Sequence, residues 1–301
     1  MTPEQRSLLA WGRTSRRDLP WRRTRDPWAV VVSEVMLQQT QAARVVPRFE
    51  SFLRLWPTPS SLAAASLSDV LIEWSGLGYP RRARYLHIAA HHLVVHNDGN
   101  VPDRLDELLA LPGIGAYTAR AVLAFAFESD VGVVDTNIAR VLARRAGRRL
   151  SGRDAQELAD EFVPSGRSWE HNQSLMDLGA SLCRPTPQCV ACPLAGSCEW
   201  HRGGNGQPDP AIGSAGVSGT QGAFAGSNRQ ARGRLLRALE RGPVPFESVA
   251  VACGLAGDLN RSARVAESLV DDGLARSFDG ALSLGSDETP RSTRPVNSGR
   301  G

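Results

Sequence analysis

The chain has 301 residues, 42% of them apolar and 22% charged, enough for a sizeable core in one large domain or two smaller ones. No run of about 18 apolar residues occurs. The start, MTPEQRSLLAWGRTSRRDLPW, has charges where a signal peptide is apolar, so a membrane span is not expected and a cytoplasmic protein is. The net charge is only +4, yet all 35 basic residues are arginine, and lysine chemistry is excluded outright.

From the start to about His201 the sequence reads as successive helices with short Pro or Gly breaks. Arginines cluster at Arg13 to Arg25, at Arg81, Arg82 and Arg84, and at Arg140 to Arg149. Such clusters suit phosphate, because a guanidinium pairs with phosphate oxygens in two-pronged fashion, but they also suit a solvated helix face. The first unusual residue is Glu34, inside the apolar helical run VVVSEVMLQQT. A buried carboxylate without a partner is costly, so Glu34 is expected to hold a proton. On one helical stripe with Gln38 and Gln41, it is expected to border a cleft.

Further on, the short helix LDELLA leads through LPGIG into the helix AYTARAVLAFAF. Gly113 and Gly115 allow a tight turn that aims free N–H groups outward at a helix start, a nest for an anion such as a DNA phosphate, although an ordinary helix turn reads the same way. Asp135, in VVDTNIARVLARR, precedes a helix and is expected to cap it. The N–H groups and the dipole there favour the ionised carboxylate.

CRPTPQCVACPLAGSC places Cys183, Cys189, Cys192 and Cys198 within 16 residues, spaced C-x5-C-x2-C-x5-C. A cytosolic chain rarely spends thiols so close together on disulfides, and one compact loop suits a [4Fe-4S] cluster better than zinc. Cys253 is expected in an apolar core. Residues 1–202 thus form one expected domain, with its cluster loop at 183–198. Residues 203–227, rich in Gly, Ser, Pro and Ala, read as a flexible linker. Residues 228–285 read as three helices and a hairpin, a winged-helix-like module, and 286–301 as a disordered tail.

In chain order, LPW (19–21), SEVMLQQTQ (33–41), WSGLGY (74–79), LPGIGAYTA (111–119), VVDTN (133–137), NQSLMDLGA (172–180) and the cysteine loop resemble the helix-hairpin-helix DNA glycosylases that carry a cysteine-bound cluster, and among them the MutY-type adenine glycosylases. The resemblance implies an all-α, two-lobed helix-hairpin-helix fold with an iron-sulfur loop, acting as a monomer in the nucleoid on double-stranded DNA with adenine opposite 8-oxoguanine or guanine. It differs in two respects. Five residues rather than the more usual six separate the first two cysteines, and nothing after Ser227 resembles the family's Nudix-like domain.

The resemblance also implies roles. Glu34 would protonate N7 of a flipped adenine, Asp135 would stabilise the oxocarbenium sugar, and Tyr117 and Asn137 would hydrogen-bond around them. Arg17, Trp21, Arg22, Leu37 and Gln173 match adenine-pocket positions. Gln39 matches a wedge, Thr40, Leu77 and Tyr79 match contacts around the lesion, and Gly113 and Gly115 match the hairpin that meets DNA. Tyr117 stands where endonuclease-III-like enzymes carry a Schiff-base lysine. A chain with no lysine is therefore expected to be monofunctional. The alternatives are a thymine or uracil mismatch glycosylase of the same superfamily and a non-catalytic DNA-binding protein.

Overall fold

A computed structural model describes residues 1–217 and 223–285. The tail at 286–301 and the part of the expected linker at 218–222 lie outside the described residues. The α-helices are Pro3–Ser15 (α1), Pro27–Leu37 (α2), Ala42–Leu55 (α3), Pro59–Ala63 (α4), Leu67–Glu73 (α5), Arg81–His96 (α6), Leu105–Ala110 (α7), Ala116–Phe125 (α8), Thr136–Ala146 (α9), Gly152–Phe162 (α10), Ser168–Ser181 (α11), Glu199–Arg202 (α12), Asn228–Leu239 (α13), Val249–Cys253 (α14) and Leu259–Asp271 (α15). The strands are Val244–Pro245 (β1), Ala275–Phe278 (β2) and Ala281–Leu284 (β3). Among the described residues no helix is long and apolar enough to cross a membrane.

The chain divides into two compact units, and α2 and the 105–125 hairpin each run from one into the other. The first unit comprises residues 1–31, 103–105 and 115–220. Its core joins Leu8 of α1, Ile138 and Leu142 of α9, Phe162 of α10, and Leu175 and Leu178 of α11. Local signals set the helix starts. Thr2 with Gln5 and Ser151 with Asp154 form reciprocal capping boxes, and Gly147 in the left-handed region ends α9. Gly179 lets α11 approach the start of α9, since a Cβ there would lie 2.7 Å from Asn137 Cβ.

The second unit comprises residues 32–102, 106–114 and 221–301, described as far as residue 285. Phe52, Trp56 and Trp74 meet edge to face in its helical core, with ring centroids 4.7 and 6.0 Å apart. Its C-terminal part packs α13, α14 and α15 around Leu235, Cys253, Val265 and Leu269. Beside them lies an antiparallel sheet in the order β1-β3-β2, the arrangement expected of a winged helix. The sequence pattern reveals the β2-β3 hairpin but not β1, because two residues ending in proline carry no alternation.

The expected linker is shorter than its composition suggests. Asp209, Ala211 and Ser214 are buried in the first unit. Ser214 Oγ accepts from the Leu150 backbone N–H at 3.1 Å, and the Ala215 N–H donates to the Leu150 carbonyl at 3.0 Å. A Gly/Ser/Pro-rich composition records low propensity for regular structure, and these few polar side chains are enough to fix such a segment.

Candidate active site

Every residue of α2 from Trp28 to Met36 is buried, and Glu34 among them is only 4% exposed. A helix apolar on all sides is a core helix. It ends at Leu37, so Gln38 and Gln41 lie beyond it and the expected helical stripe does not form. Gln39 then takes a left-handed backbone (φ 55°), with its side chain exposed. Left-handed backbone costs energy in a non-glycine residue and persists where the surroundings enforce it.

Arg82 is what enforces it. Buried at 9% exposure, it donates through Nη1 to the carbonyls of Val35, Met36 and Gln38 at 2.9, 2.9 and 2.6 Å. Through Nη2 it reaches Thr40 Oγ1, the Leu77 carbonyl and the Gly78 carbonyl at 3.0, 3.2 and 2.8 Å. One guanidinium thereby caps α2 and ties residues 37–40 to residues 77–79. Thr40 Oγ1 also bonds the Leu77 carbonyl at 3.1 Å. Leu77 is buried, and Tyr79 is 40% exposed at φ 48°. The structure thus brings Leu37, Gln39, Thr40, Leu77 and Tyr79 into one pair of loops, and desolvation lowers the Arg82 guanidinium to about 10.

In the hairpin turn Gly113 sits at φ 80° and packs on Tyr85, whose Cβ lies 2.6 Å from where a Gly113 Cβ would be. Gly115 is different. Its φ of −96° suits any residue and a Cβ there would meet nothing within 4 Å, so the fold's own packing does not demand glycine. Close approach by another molecule remains as a physical reason for it.

In the first unit Asp135 caps α9 as expected, its Oδ1 accepting from the Ile138 N–H at 2.7 Å. Its Oδ2 accepts from Asn137 Nδ2 at 3.1 Å, and Asn137 Oδ1 in turn accepts from Arg140 at 2.9 Å. Asn172 fixes the strand-like approach, binding Val133 N–H and the Val131 carbonyl at 3.0 Å each. Burial pushes the Asp135 carboxyl above the ordinary aspartate range, against the pull of Ile138, Asn137 and Arg140. The expected electrostatic support for the anion is therefore present, but burial outweighs it.

Arg17 and Arg22 both pair with buried Asp177, at 2.6 and 2.7 Å. Burial alone would raise the Asp177 carboxyl, but Arg22 and then Arg17 hold it below its usual range. Trp21 is buried, Tyr117 is partly buried in the first turn of α8, and Gln173 is 4% exposed. Gln173 Oε1 is a buried acceptor with no hydrogen-bond partner. Such an atom is costly, and a ligand donor would satisfy it.

Many of the clustered arginines take roles different from the phosphate contacts their charge suggests. Arg140 and Arg144 bind the cysteine loop, Arg145 pairs with Glu4, Arg25 with Glu128, Arg23 with Asp18, and Arg82 is spent on carbonyls. Arg82, Asp177, Arg140 and Asp209 matter here and carry little local sequence signal, because each has partners tens of residues away. For Arg82 and the carbonyls at and just past the end of α2 the separation is 44 to 47 residues.

Cys183, Cys189, Cys192 and Cys198 line one cavity together with Leu178 and Leu182. None forms a disulfide. Among the described residues no group of three or more His, Cys, Asp or Glu is arranged to hold a single metal ion. Burial pushes the Cys192 thiol up to about 11, and the Cys189 and Cys198 thiols upward too. Four half-buried sulfurs converge on one space, and the three raised thiols among them need added positive charge to become thiolates, which fits a multi-iron cluster. Arg144 supports the loop from behind, donating to Cys183 Sγ at 3.4 Å and to the Arg184 and Pro185 carbonyls at 2.7 and 3.0 Å. Asp209 pairs with the same guanidinium at 2.6 Å.

Residues 32–164 match the model of the HhH-GPD superfamily of base excision DNA repair proteins. The adenine DNA glycosylase of Mycobacterium tuberculosis is 42% identical over 289 residues, 92% of this chain and 92% of its own. That of Mycolicibacterium smegmatis is 40% identical over 292 residues, 94% of this chain and 97% of its own. Among solved structures, a thermostable thymine-DNA glycosylase is similar at a TM-score of 0.62 and 30% identity, over 66% of this chain and 95% of that one. With the helical hairpin, the capping aspartate and the cysteine loop all in place, the chain belongs to the HhH-GPD superfamily and, within it, to the MutY-type adenine DNA glycosylases.

Proposed function

We propose that the protein is a base-excision-repair enzyme that binds double-stranded DNA as a monomer and hydrolyses the N-glycosidic bond of adenine paired with 8-oxoguanine or guanine. The observation that carries this reading is a pair of carboxyls with different surroundings, one within an apolar helix and one at a helix start. Glu34 is buried inside an apolar helix, and Asp135 accepts from the Ile138 N–H and the Asn137 amide, which oppose the effect of its burial. The relatives named adenine DNA glycosylases support it over most of the chain.

The base leaves the stack and enters the protein, as chemistry on a base requires. Gln39, exposed and held left-handed, occupies the vacated space, and the Gly113–Gly115 turn takes a phosphate. Gln173 Oε1 accepts from the adenine amino group, which satisfies its orphaned oxygen. Glu34 passes its proton to N7, so that adenine departs neutral as the C1′–N9 bond breaks. Asp135 faces the oxocarbenium carbon, water adds there, and the water's proton restores the acid. With no lysine in the sequence, the strand is left intact at an abasic site.

The four cysteines fit a [4Fe-4S] cluster, which when bound supplies the metal–thiolate bonds that fix the 183–198 loop; no step of base removal passes through it. Protein purified without oxygen should absorb at about 400 nm and contain iron and sulfide, whereas colourless protein with stoichiometric zinc would remove the assignment.

Glu34→Gln tests the chemistry. It should slow adenine release by at least about 100-fold, the usual contribution of a general acid, and leave DNA affinity unchanged. Undiminished release would take Glu34 out of the mechanism. A second reading, removal of thymine or uracil opposite guanine, draws on the likeness to the thymine-DNA glycosylase. Pyrimidine release has less need of a buried acid aimed at a purine ring nitrogen, and so leaves Glu34 without a role.

A further inference from the structure

The module at 228–285 has the topology of a DNA-reading winged helix but not the charge of one. It carries eight arginines against seven carboxylates. Its α15 has Arg261 and Arg264 set against Glu267 and Asp271, with Asp258 and Asp272 at its two caps. Arg261 is already engaged by Asn228 and the Gly226 carbonyl, at 2.8 and 2.5 Å. Duplex DNA is bound largely through net positive charge, so a nearly neutral module is poorly suited to it.

Its contacts point elsewhere. Asp272, at the end of α15, accepts from Arg232 of α13 through Oδ2, while its Oδ1 faces Arg81 Nε of α6 at 3.5 Å. Arg81 in turn donates to the Tyr85 hydroxyl at 3.2 Å, with its guanidinium 5.8 Å from the ring centroid. Tyr85 is the side chain on which Gly113 rests. Two more contacts hold the module in register. Ser68 Oγ donates to the Leu284 carbonyl at 2.8 Å, and a Cβ on Gly285 would lie 2.6 Å from Ser68 Oγ. A Cβ on Gly273 would lie 2.4 Å from Arg84 Nε. Both glycines stand where the module meets α5 and α6.

We propose that Asp272 is a positioning residue: through Arg81 and Tyr85 it sets the hairpin turn at Gly113, so that the C-terminal module acts as a brace on the DNA-binding turn rather than as a reader of DNA. The link to DNA rests on the phosphate role proposed above for that turn; the brace itself does not. Because Arg232 already neutralises Asp272 within the module, Arg81 is the partner that carries the link outward.

The full-length chain with Asp272→Asn tests this, with Arg81→Gln as an independent variant that leaves the module's own residues untouched. Amide hydrogen exchange should speed up about tenfold at residues 111–115 in both variants, with thermal melting of the whole chain unchanged. The Kd for a duplex with a stable analogue of adenine opposite 8-oxoguanine should rise by about tenfold, while single-turnover release at saturating DNA stays at the wild-type rate. The double variant should be no worse than either single one, and Asp271→Asn on the same helix should change nothing. Unchanged exchange at 111–115 in both single variants overturns the brace. A wild-type protein that does not act on adenine overturns the functional reading instead and leaves the exchange result standing.

Discussion

Asp135 is pulled two ways, and the balance has consequences that can be measured. Burial raises its carboxyl, while Ile138 N–H, Asn137 Nδ2 and Arg140 oppose the shift. A raised folded-state value means that the fold favours the protonated form more than the unfolded chain does, so at neutral pH the ionised carboxylate costs stability, and the cost fades as pH falls toward the ordinary aspartate range. Asp135→Asn keeps an N-cap acceptor. It should abolish base release yet melt at or above the wild-type temperature at pH 7, with the advantage vanishing near pH 4; a lower melting point at pH 7 would contradict this. Asn137→Ala removes one of the opposing donors, so the acid limb of the single-turnover rate should move to higher pH and the alkaline limb should stay. His171 works in the opposite sense. Fully buried, with neither ring nitrogen bonded, it is depressed by burial and by Arg145 to about 3. Its folded value lies below its unfolded one, so its contribution is intact above about pH 6.5 and is lost as pH falls toward 3, on the order of 5 kcal/mol in all. His171→Leu should make acid unfolding begin at lower pH, as followed by circular dichroism. Individual candidate residues were legible where chemistry clashes with pattern, as for Glu34 in an apolar run. Gln173 was legible only through the family resemblance, because its orphaned oxygen is a property of packing.

Among the elements, helices were legible and the loops between them were not. The apolar period of α8, α9 and α15 and the aspartate caps of the last two can be read from the chain, because helical contacts are local. The 37–40 and 77–79 loops depend on Arg82, whose bonds span the unit, and in sequence it is one arginine among RRAR. Arg82→Met should therefore loosen both loops while sparing the helices. A loss of stability on the order of 3 kcal/mol is expected from charged hydrogen bonds to buried carbonyls, together with faster proteolysis at residues 37–41 and 76–80. An unchanged cleavage pattern would show that the loops hold themselves. The 209–215 segment teaches the same lesson from the other side. Its composition suggests a linker, yet Asp209 pairs with Arg144 behind the cysteine loop. Truncation at Gly203 would strand a buried arginine, so any deletion of the C-terminal module belongs after Val217.

At the scale of the whole molecule, two units built mainly of helices present one carboxyl buried in an apolar helix, one carboxyl capping a helix, a glycine turn and a four-cysteine loop. The order of these features was legible along the chain, because each needs particular residue types at fixed spacing. What the C-terminal module does was not, since its topology resembles a DNA reader while its charge and its contacts with α5 and α6 favour a brace. The central claim is adenine removal by Glu34, and the most direct measurement is base release from four duplexes, holding A opposite 8-oxoguanine, A opposite guanine, T opposite guanine and U opposite guanine, by wild-type protein and by Glu34→Gln. Release is expected from the two adenine duplexes alone, slowed at least about 100-fold in Glu34→Gln, with strand cleavage only after alkali. Release of thymine or uracil with adenine untouched, or full adenine release by Glu34→Gln, would contradict it.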